Sequence, residues 1–90
     1  MTFLEFGATG CRSCKMMEKV MEEVKSKYHS EIKVKFINIL LQANQDMMKY
    51  YGIAAISTQV LLDEAGKEVF RHTGYFSFDD LDKEFQKIKP

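Results

Sequence analysis

A short apolar run leads into a closely spaced pair of cysteines in residues 3–17, FLEFGATGCRSCKMM. The run from Thr2 to Phe6 stops at Gly7 and is rich in strand-forming residues, which predicts a buried strand. From Cys14 onward the apolar residues recur at spacings of three and four, which predicts an amphipathic helix. The apolar stripe of this helix consists of Met17, Val20, Met21, Val24 and Tyr28. Cys11 therefore falls between a strand and the start of a helix.

The rest of the chain continues this alternation of strands and helices. We expect a strand at Ile32–Leu41, a short helix between Asn44 and Gly52, a strand at Thr58–Leu62, a turn at Asp63–Gly66 and a strand at Lys67–His72. A Ser77/Asp80 capping box begins the last helix, whose core stripe consists of Phe78, Leu81, Phe85 and Ile88. The crossover helix predicts that the first two strands are parallel, and the turn predicts that the last two are antiparallel. The predicted fold class is α/β, in the order β-α-β-α-β-β-α. A four-stranded mixed sheet carries helices on both faces, in a single domain over residues 1–90.

Composition narrows the class of protein. The chain has 90 residues, 13 Lys+Arg against 13 Asp+Glu, and 46 % apolar residues. That apolar content is enough for a compact core, and the charge balance argues against general attraction to nucleic acid or to anionic membranes. The sequence shows neither a membrane-spanning apolar run nor a signal-peptide pattern. We therefore expect no nucleic-acid or membrane partner and a cytoplasmic location.

The number of cysteines excludes two further classes. Two cysteines are too few for a disulfide-rich secreted scaffold. With only His29 and His72 in addition, both distant in sequence, one chain has too few ligands for a four-ligand zinc site. The pair fits three remaining interpretations: a redox-active dithiol, half of a metal site that a second chain completes, or two inert core thiols.

The position of Cys11 favours the redox interpretation. Unpaired N–H groups at the start of the helix, together with the neighbouring Arg12, would stabilise a Cys11 thiolate. They should lower the pKa of this thiol from about 8.5 toward about 7, which is the best range for an attacking thiol in disulfide exchange. Cys14 lies one turn further along the helix, close enough to form a disulfide with Cys11 and resolve a mixed disulfide.

This segment resembles the active-site segment of thioredoxins. Further similar segments follow in the order of that family, at Tyr51–Ile53, Ile56–Thr58, Gly66–Val69 and Gly74. Together they cover essentially the whole chain and match the shorter core that thioredoxins share with glutaredoxins. The resemblance implies a thioredoxin-like fold.

The resemblance also implies roles for individual residues. Cys11 would be the nucleophile, Cys14 the resolving thiol, and Glu5 the buried acid that moves the proton of Cys14. A carboxyl group in an apolar strand has a raised pKa, which suits that role. The groove for an extended target peptide would be formed by Gly10, Arg12, Ile56, Ser57, Thr58 and Gly74. No bound cofactor is implied; the expected partners are disulfide-containing protein substrates and a separate reductase, and the expected state is a monomer.

Several positions depart from the family pattern. The usual Gly-Pro between the cysteines is replaced by Arg12-Ser13, and the family's cis-proline is replaced by Ser57. A cis peptide bond costs about 2.5–4 kcal/mol before an ordinary residue and about 0.5–1 kcal/mol before proline. We therefore expect the Ile56–Ser57 bond to be trans, with a more open site and looser docking of targets.

The function predicted from the sequence is that of a thiol–disulfide oxidoreductase that reduces or exchanges disulfides in proteins. Three alternatives stay open. One is a glutaredoxin-like reductase linked to glutathione. Another is a zinc or iron–sulfur module in which two chains each supply two thiolates. The last is an interaction protein of the same fold without redox activity.

Overall fold

The computed structural model describes residues 1–88, and its elements follow the predicted order. They are β1 Thr2–Gly7, α1 Arg12–Tyr28, β2 Lys33–Asn38, a 3₁₀ turn Gln42–Asn44, α2 Gln45–Tyr51, β3 Thr58–Leu62, β4 Glu68–Thr73 and α3 Phe78–Ile88. The last two residues of the predicted domain, 89 and 90, lie outside the described residues.

The four strands form one mixed sheet in the order β2-β1-β3-β4. Strand β1 runs parallel to β2 and antiparallel to β3, and β3 runs antiparallel to β4. This confirms the predicted fold class. The register places Glu5 opposite Gln59 and Gln59 opposite His72, so that three polar residues lie side by side across three strands.

Helices cover both faces of the sheet, as the sequence predicts. Helices α1 and α3 pack on one face, where the buried cluster consists of Phe3, Met17, Val20, Met21, Val24, Tyr28, Ile32, Leu61, Leu81 and Phe85. Helix α2 packs on the other face, over Leu4, Phe6, Ile37, Val60 and Leu62. Because side chains alternate along a strand, Glu5 shares the face of Phe3 and lies under α1.

The second strand is shorter than predicted. It ends at Asn38, and the predicted continuation to Leu41 is wrong. The Asn38 side-chain oxygen accepts a hydrogen bond of 2.9 Å from the backbone N–H of Leu40, which turns the chain. Leu40 and Leu41 are consequently exposed rather than part of a buried strand.

The ends of α2 agree with the sequence only in part. Gly52 ends the helix in the left-handed conformation, with φ of 62°, as predicted. Asn44 does precede the helix, but its side chain does not cap it. Instead its amide donates to the backbone oxygen of Asn38 at 2.8 Å, because a 3₁₀ turn leads into the helix.

Polar contacts tie α3 to α1. Ser77 caps α3 by accepting a hydrogen bond of 3.2 Å from the N–H of Asp80, as expected. Asp82 of α3 accepts hydrogen bonds from Tyr28 and Lys27 of α1. None of the helices within residues 1–88 combines the length and apolarity needed to cross a membrane.

Candidate active site

The two cysteines lie at the N-terminus of α1 and are joined by a disulfide. Cys11 is the N-cap residue, and its Sγ accepts a hydrogen bond of 3.2 Å from the backbone N–H of Cys14. Their Cα atoms are 5.2 Å apart. Cys11 is half-buried whereas Cys14 is only 4 % exposed. Of the two sulfur-bearing side chains, that of Cys11 is therefore the one more open to solvent.

Two glycines shape the segment before the disulfide. Gly10 has φ of 87°, a conformation that side-chain-bearing residues rarely adopt, so glycine is required for this turn into α1. Gly7 is required for another reason, because a Cβ built there would lie 2.8 Å from the Sγ of Cys14. The buried sulfur thus packs directly against the backbone of β1.

The Ile56–Ser57 peptide bond is cis, and the expectation of a trans bond is wrong. Ser57 is fully buried and is held on several sides. Its carbonyl oxygen accepts a hydrogen bond of 2.7 Å from Gly74, and its N–H donates to Ser13 Oγ at 3.3 Å. These contacts fix the backbone of Ser57 beside the first turn of α1. The expectation of a trans bond considered only the cost of the peptide bond itself and left these contacts out.

Glu5 is fully buried behind the disulfide. It lies two residues before Gly7 on the same face of β1, about 7 Å along the strand. One carboxyl oxygen, Oε1, accepts a hydrogen bond of 3.0 Å from Gln59 Nε2, and Oε2 has no partner among the described residues. Burial raises the pKa of Glu5 from 4.5 to about 7, against a smaller lowering by the Gln59 hydrogen bond.

The residues predicted to form the peptide groove differ in exposure. Gly10 and Arg12 are exposed, and Ile56 and Gly74 are half-buried. Ser57 and Thr58 are buried, and the Thr58 hydroxyl donates to the backbone oxygen of Ala55 at 2.6 Å. The structure brings Ser57 and Gly74 into direct contact. Ser57 and Thr58 thus leave almost none of their surface, main chain included, open to a bound peptide.

Two polar residues that connect to Glu5 were not predicted from the sequence. Gln59 is fully buried, and its Oε1 accepts a hydrogen bond of 3.1 Å from His72 Nδ1. His72 is half-buried and packs against the ring of Phe76. The signal available in the sequence was Gln59 itself, a polar residue inside an otherwise apolar strand.

Beside the disulfide lies a depression of about 450 Å³ whose lining includes Lys15, Glu18 and Phe36. Within the described part of the chain, no group of three or more histidine, cysteine or acidic side chains could hold a metal ion. The two thiolates alone could ligate a metal only if another molecule supplied the remaining ligands, as the alternative of a shared site requires.

Two solved structures with this fold are thioredoxins. A mutant thioredoxin from Halobacterium salinarum superposes with a TM-score of 0.86 at 25 % identity, covering 99 % of this chain and 74 % of that one. A thioredoxin-2 described as a component of malaria parasite protein secretion machinery gives 0.84 at 21 % identity, covering 96 % and 81 %. The architecture and the position of the disulfide therefore define a thioredoxin-like fold.

Sequence comparison leads to the same family. The family model described as a thioredoxin-like domain matches residues 2–89. A thioredoxin from Pseudomonas aeruginosa is 34 % identical over 65 residues, 72 % of this chain and 58 % of the relative. Thioredoxin H2 from Arabidopsis thaliana is 28 % identical over 86 residues, 96 % of this chain and 61 % of the relative. The chain belongs to the thioredoxin family, and its matches span about three fifths of the length of these curated relatives.

Proposed function

We propose that the chain is a thiol–disulfide oxidoreductase that reduces or exchanges disulfides in protein substrates through Cys11 and Cys14. The observation that carries the proposal is the disulfide between a half-buried N-cap cysteine and a buried cysteine one turn further along α1. The N-terminal N–H groups of a helix stabilise a thiolate, and Cys11 Sγ already accepts one of them from Cys14. The relatives named thioredoxin support the same activity.

The reaction follows from this arrangement. In the reduced protein, the Cys11 thiolate bonds to one sulfur of the target disulfide; that disulfide breaks, and the released target thiolate takes a proton from water. Cys14 then loses its proton and attacks Cys11, which forms the Cys11–Cys14 disulfide and releases the second target thiol. The target gains two electrons and the protein loses two. A separate dithiol reductant returns the protein to its reduced form.

Glu5 accepts the proton that Cys14 loses in the resolving step. Its Oε2 has no hydrogen-bond partner among the described residues, and its pKa of about 7 allows it both to accept and to release a proton near neutrality. Direct transfer or a bridging water would connect it to the Cys14 sulfur, which packs against Gly7 on the same face of β1. Glu5 then acts as the base for the resolving step.

We propose that the substrates are disulfide-containing proteins that bind as extended peptide segments. An extended peptide would lie along the backbone at Ile56 and Gly74, and Gly10 and Arg12 would flank the attacking sulfur. We propose a protein reductase as the electron donor, a monomeric state and a cytoplasmic location. The chain's own residues suffice for the exchange, without a bound cofactor.

A reductase assay with trapping variants tests the proposal. With dithiothreitol as electron source and insulin as the disulfide substrate, the wild-type chain should turn over, and Cys11→Ser should be inactive. Cys14→Ser, reduced first and then freed of dithiothreitol, should accumulate a mixed disulfide with the substrate, because the resolving thiol is missing. Ser26→Ala, an exposed change on the same helix, serves as the matched control and should keep wild-type activity. Trapping by Cys11→Ser instead of Cys14→Ser would overturn the assignment of the nucleophile.

Two further measurements separate the alternatives. Saturable turnover of a mixed disulfide between a peptide and glutathione, without insulin reduction, would support the glutathione-linked reductase instead. Metal or iron–sulfur analysis of freshly purified protein, with one metal site per two chains, would support the shared metal module. If the protein neither reduces insulin nor binds a metal, the remaining alternative is an interaction protein without redox activity.

A further inference from the structure

A chain of hydrogen bonds connects the interior of the sheet to the Cys11 sulfur. It begins at His72, whose Nδ1 donates to Gln59 Oε1 at 3.1 Å. Gln59 Nε2 donates to Ser57 Oγ at 3.3 Å, and Ser57 Oγ donates to Ser13 Oγ at 3.2 Å. Ser13 Oγ lies 3.4 Å from Cys11 Sγ. The two serines of this chain occupy the positions at which the family resemblance leads one to expect proline.

The direction of each hydrogen bond is fixed by counting hydrogens. The amide oxygen of Gln59 faces His72 and its nitrogen faces Glu5 and Ser57, so His72 donates to the oxygen and the nitrogen donates to Glu5 and Ser57. Both hydrogens of that nitrogen are then used. Ser57 accepts one of them and gives its own hydrogen to Ser13.

The Ser13 hydroxyl is left with one possible role. It accepts two hydrogen bonds, from the N–H of Ser57 at 3.3 Å and from the Ser57 hydroxyl at 3.2 Å. A hydroxyl has two acceptor sites and one hydrogen, so its remaining hydrogen is free to donate. The sulfur of Cys11 in the disulfide carries no hydrogen, and the contact between them is therefore a donation from Ser13 to Cys11.

We propose that Ser13 donates a hydrogen bond to the Cys11 thiolate of the reduced protein, and that Ser57 and Gln59 hold the Ser13 hydroxyl in the orientation that makes this bond. The inference rests on the proposed function in that it takes Cys11 as the attacking thiol. Ser13 touches the reacting sulfur and is in that sense catalytic, whereas Ser57 and Gln59 are positioning residues. Proline at either serine position would carry no hydroxyl and would break the chain.

The bond has two consequences for the chemistry. A hydrogen bond to a thiolate is charge-assisted and stabilises the reduced protein relative to the disulfide. It also makes Cys11 a better leaving group when the released target thiolate attacks the target sulfur of the mixed disulfide and reverses the first step. The chain should therefore be a weaker reductant with Ser13 than with a residue that lacks a hydroxyl.

Charged groups near Cys11 act on the same thiolate and must stay constant in the test. Arg12 is the next residue, Lys15 and Glu18 line the depression beside the disulfide, and Glu5 lies buried behind it. The variant Ser13→Ala alters none of them. Alanine is also well tolerated in the first turn of a helix, so the fold is retained.

The experiment measures the Cys11 thiol alone. Reduced protein is alkylated across a pH series, and the midpoint of Cys11 modification is determined by peptide mass mapping. Ser13→Ala should raise the midpoint by about one pH unit, the size expected when one hydrogen bond to an ionised group is lost. Equilibration with glutathione buffers above that midpoint should show the disulfide favoured about tenfold more, a potential about 30 mV more negative.

Further variants separate a hydrogen bond from a general structural effect. Ser13→Thr keeps the hydroxyl and should restore the wild-type midpoint. Ser57→Ala should give a midpoint between wild type and Ser13→Ala, and Ser26→Ala on the exposed face of α1 should match wild type. An unchanged midpoint in Ser13→Ala, or a Thr variant that behaves like Ala, would overturn the role of Ser13. A Ser57→Ala midpoint equal to wild type would overturn the positioning role of Ser57.

Neither the midpoint of Cys11 alkylation nor the equilibrium with glutathione buffers requires a protein substrate. If insulin is not reduced but the midpoint shifts as described, the proposed function fails and the hydrogen bond stands. If insulin is reduced and the midpoint is unmoved in Ser13→Ala, the proposed function stands and the inference fails.

Discussion

Replacing Glu5 by glutamine tests the buried carboxyl group with the smallest change of shape. Glu5→Gln removes the ionisable group but keeps the side-chain length, and the new amide can still accept a hydrogen bond from Gln59. Burial raises the pKa of Glu5 from 4.5 to about 7, so the folded protein binds this proton more tightly than the unfolded chain does. Stability is therefore highest below pH 4.5, falls as the pH rises toward 7, and is constant above it.

The size of the effect follows from the shift. At 1.36 kcal/mol per unit, a rise in pKa from 4.5 to about 7 makes the ionised folded state about 3 kcal/mol less stable than the protonated one. This is a large part of the 5–15 kcal/mol that is typical of a domain. The free energy of unfolding of Glu5→Gln should not decline in this way as the pH rises. Relative to wild type, the variant should therefore gain about 3 kcal/mol between pH 4 and pH 8.

Urea unfolding of the oxidised protein at several pH values measures this difference. With a slope of about 1–3 kcal/mol per molar urea, the gap between the two midpoints should change by about 1–3 M across the series. Contributions from other titrating groups cancel in the comparison. The reasoning is refuted if the two midpoints differ by the same amount at every pH. In the reduced protein, Glu5→Gln should also slow the resolving step and flatten its pH dependence through neutrality.

Three further substitutions test the packing around the site. Gly7→Ala places a Cβ 2.8 Å from the Sγ of Cys14 and should shift the redox equilibrium in glutathione buffers; an unchanged equilibrium would show that β1 yields without moving the sulfur. Phe85→Ala removes a ring that is 1 % exposed and packs edge-on against Tyr28, and should lower the unfolding free energy by about 3–5 kcal/mol; a loss below about 1 kcal/mol would contradict the core assignment. Asp82→Asn should lower the urea midpoint at neutral pH, because hydrogen bonds from Lys27 and Tyr28 hold the pKa of Asp82 below its usual value. That loss should disappear in acid below the pKa of Asp82, whereas an equal loss at every pH would remove the electrostatic explanation.

The fold was predictable because the strong signals in this sequence are local. The apolar stripe of α1, the turn at Gly66 and the capping serine of α3 each determine one element by themselves. Where the prediction was wrong, a side chain competed with the backbone pattern. The apolar run after β2 satisfies the strand pattern, but the side chain of Asn38 ends the strand with a turn.

The candidate site was predictable only where it is continuous in the sequence. The position of Cys11 at the start of α1 follows from a single segment, and so does the burial of Cys14. The contacts of Gln59 and His72 depend on the register of three strands, which the sequence leaves open until the sheet is assembled. The peptide bond before Ser57 was misjudged for the same reason, since the hydrogen bonds that hold Ser57 come from Ser13 and Gly74, 44 and 17 residues away.

Strand β2 forms one edge of the sheet, where no further strand among residues 1–88 pairs with it, and its outward backbone groups are a template for another strand. Lys33 and Lys35 are both exposed along this edge. Two copies of the chain that met through β2 would bring four ammonium groups into one short ribbon, next to the exposed ring of Phe36. The repulsion is strongest in dilute buffer and is screened within about 3 Å in 1 M salt. High ionic strength, rather than high protein concentration alone, is thus the condition under which two copies of the chain would pair through β2.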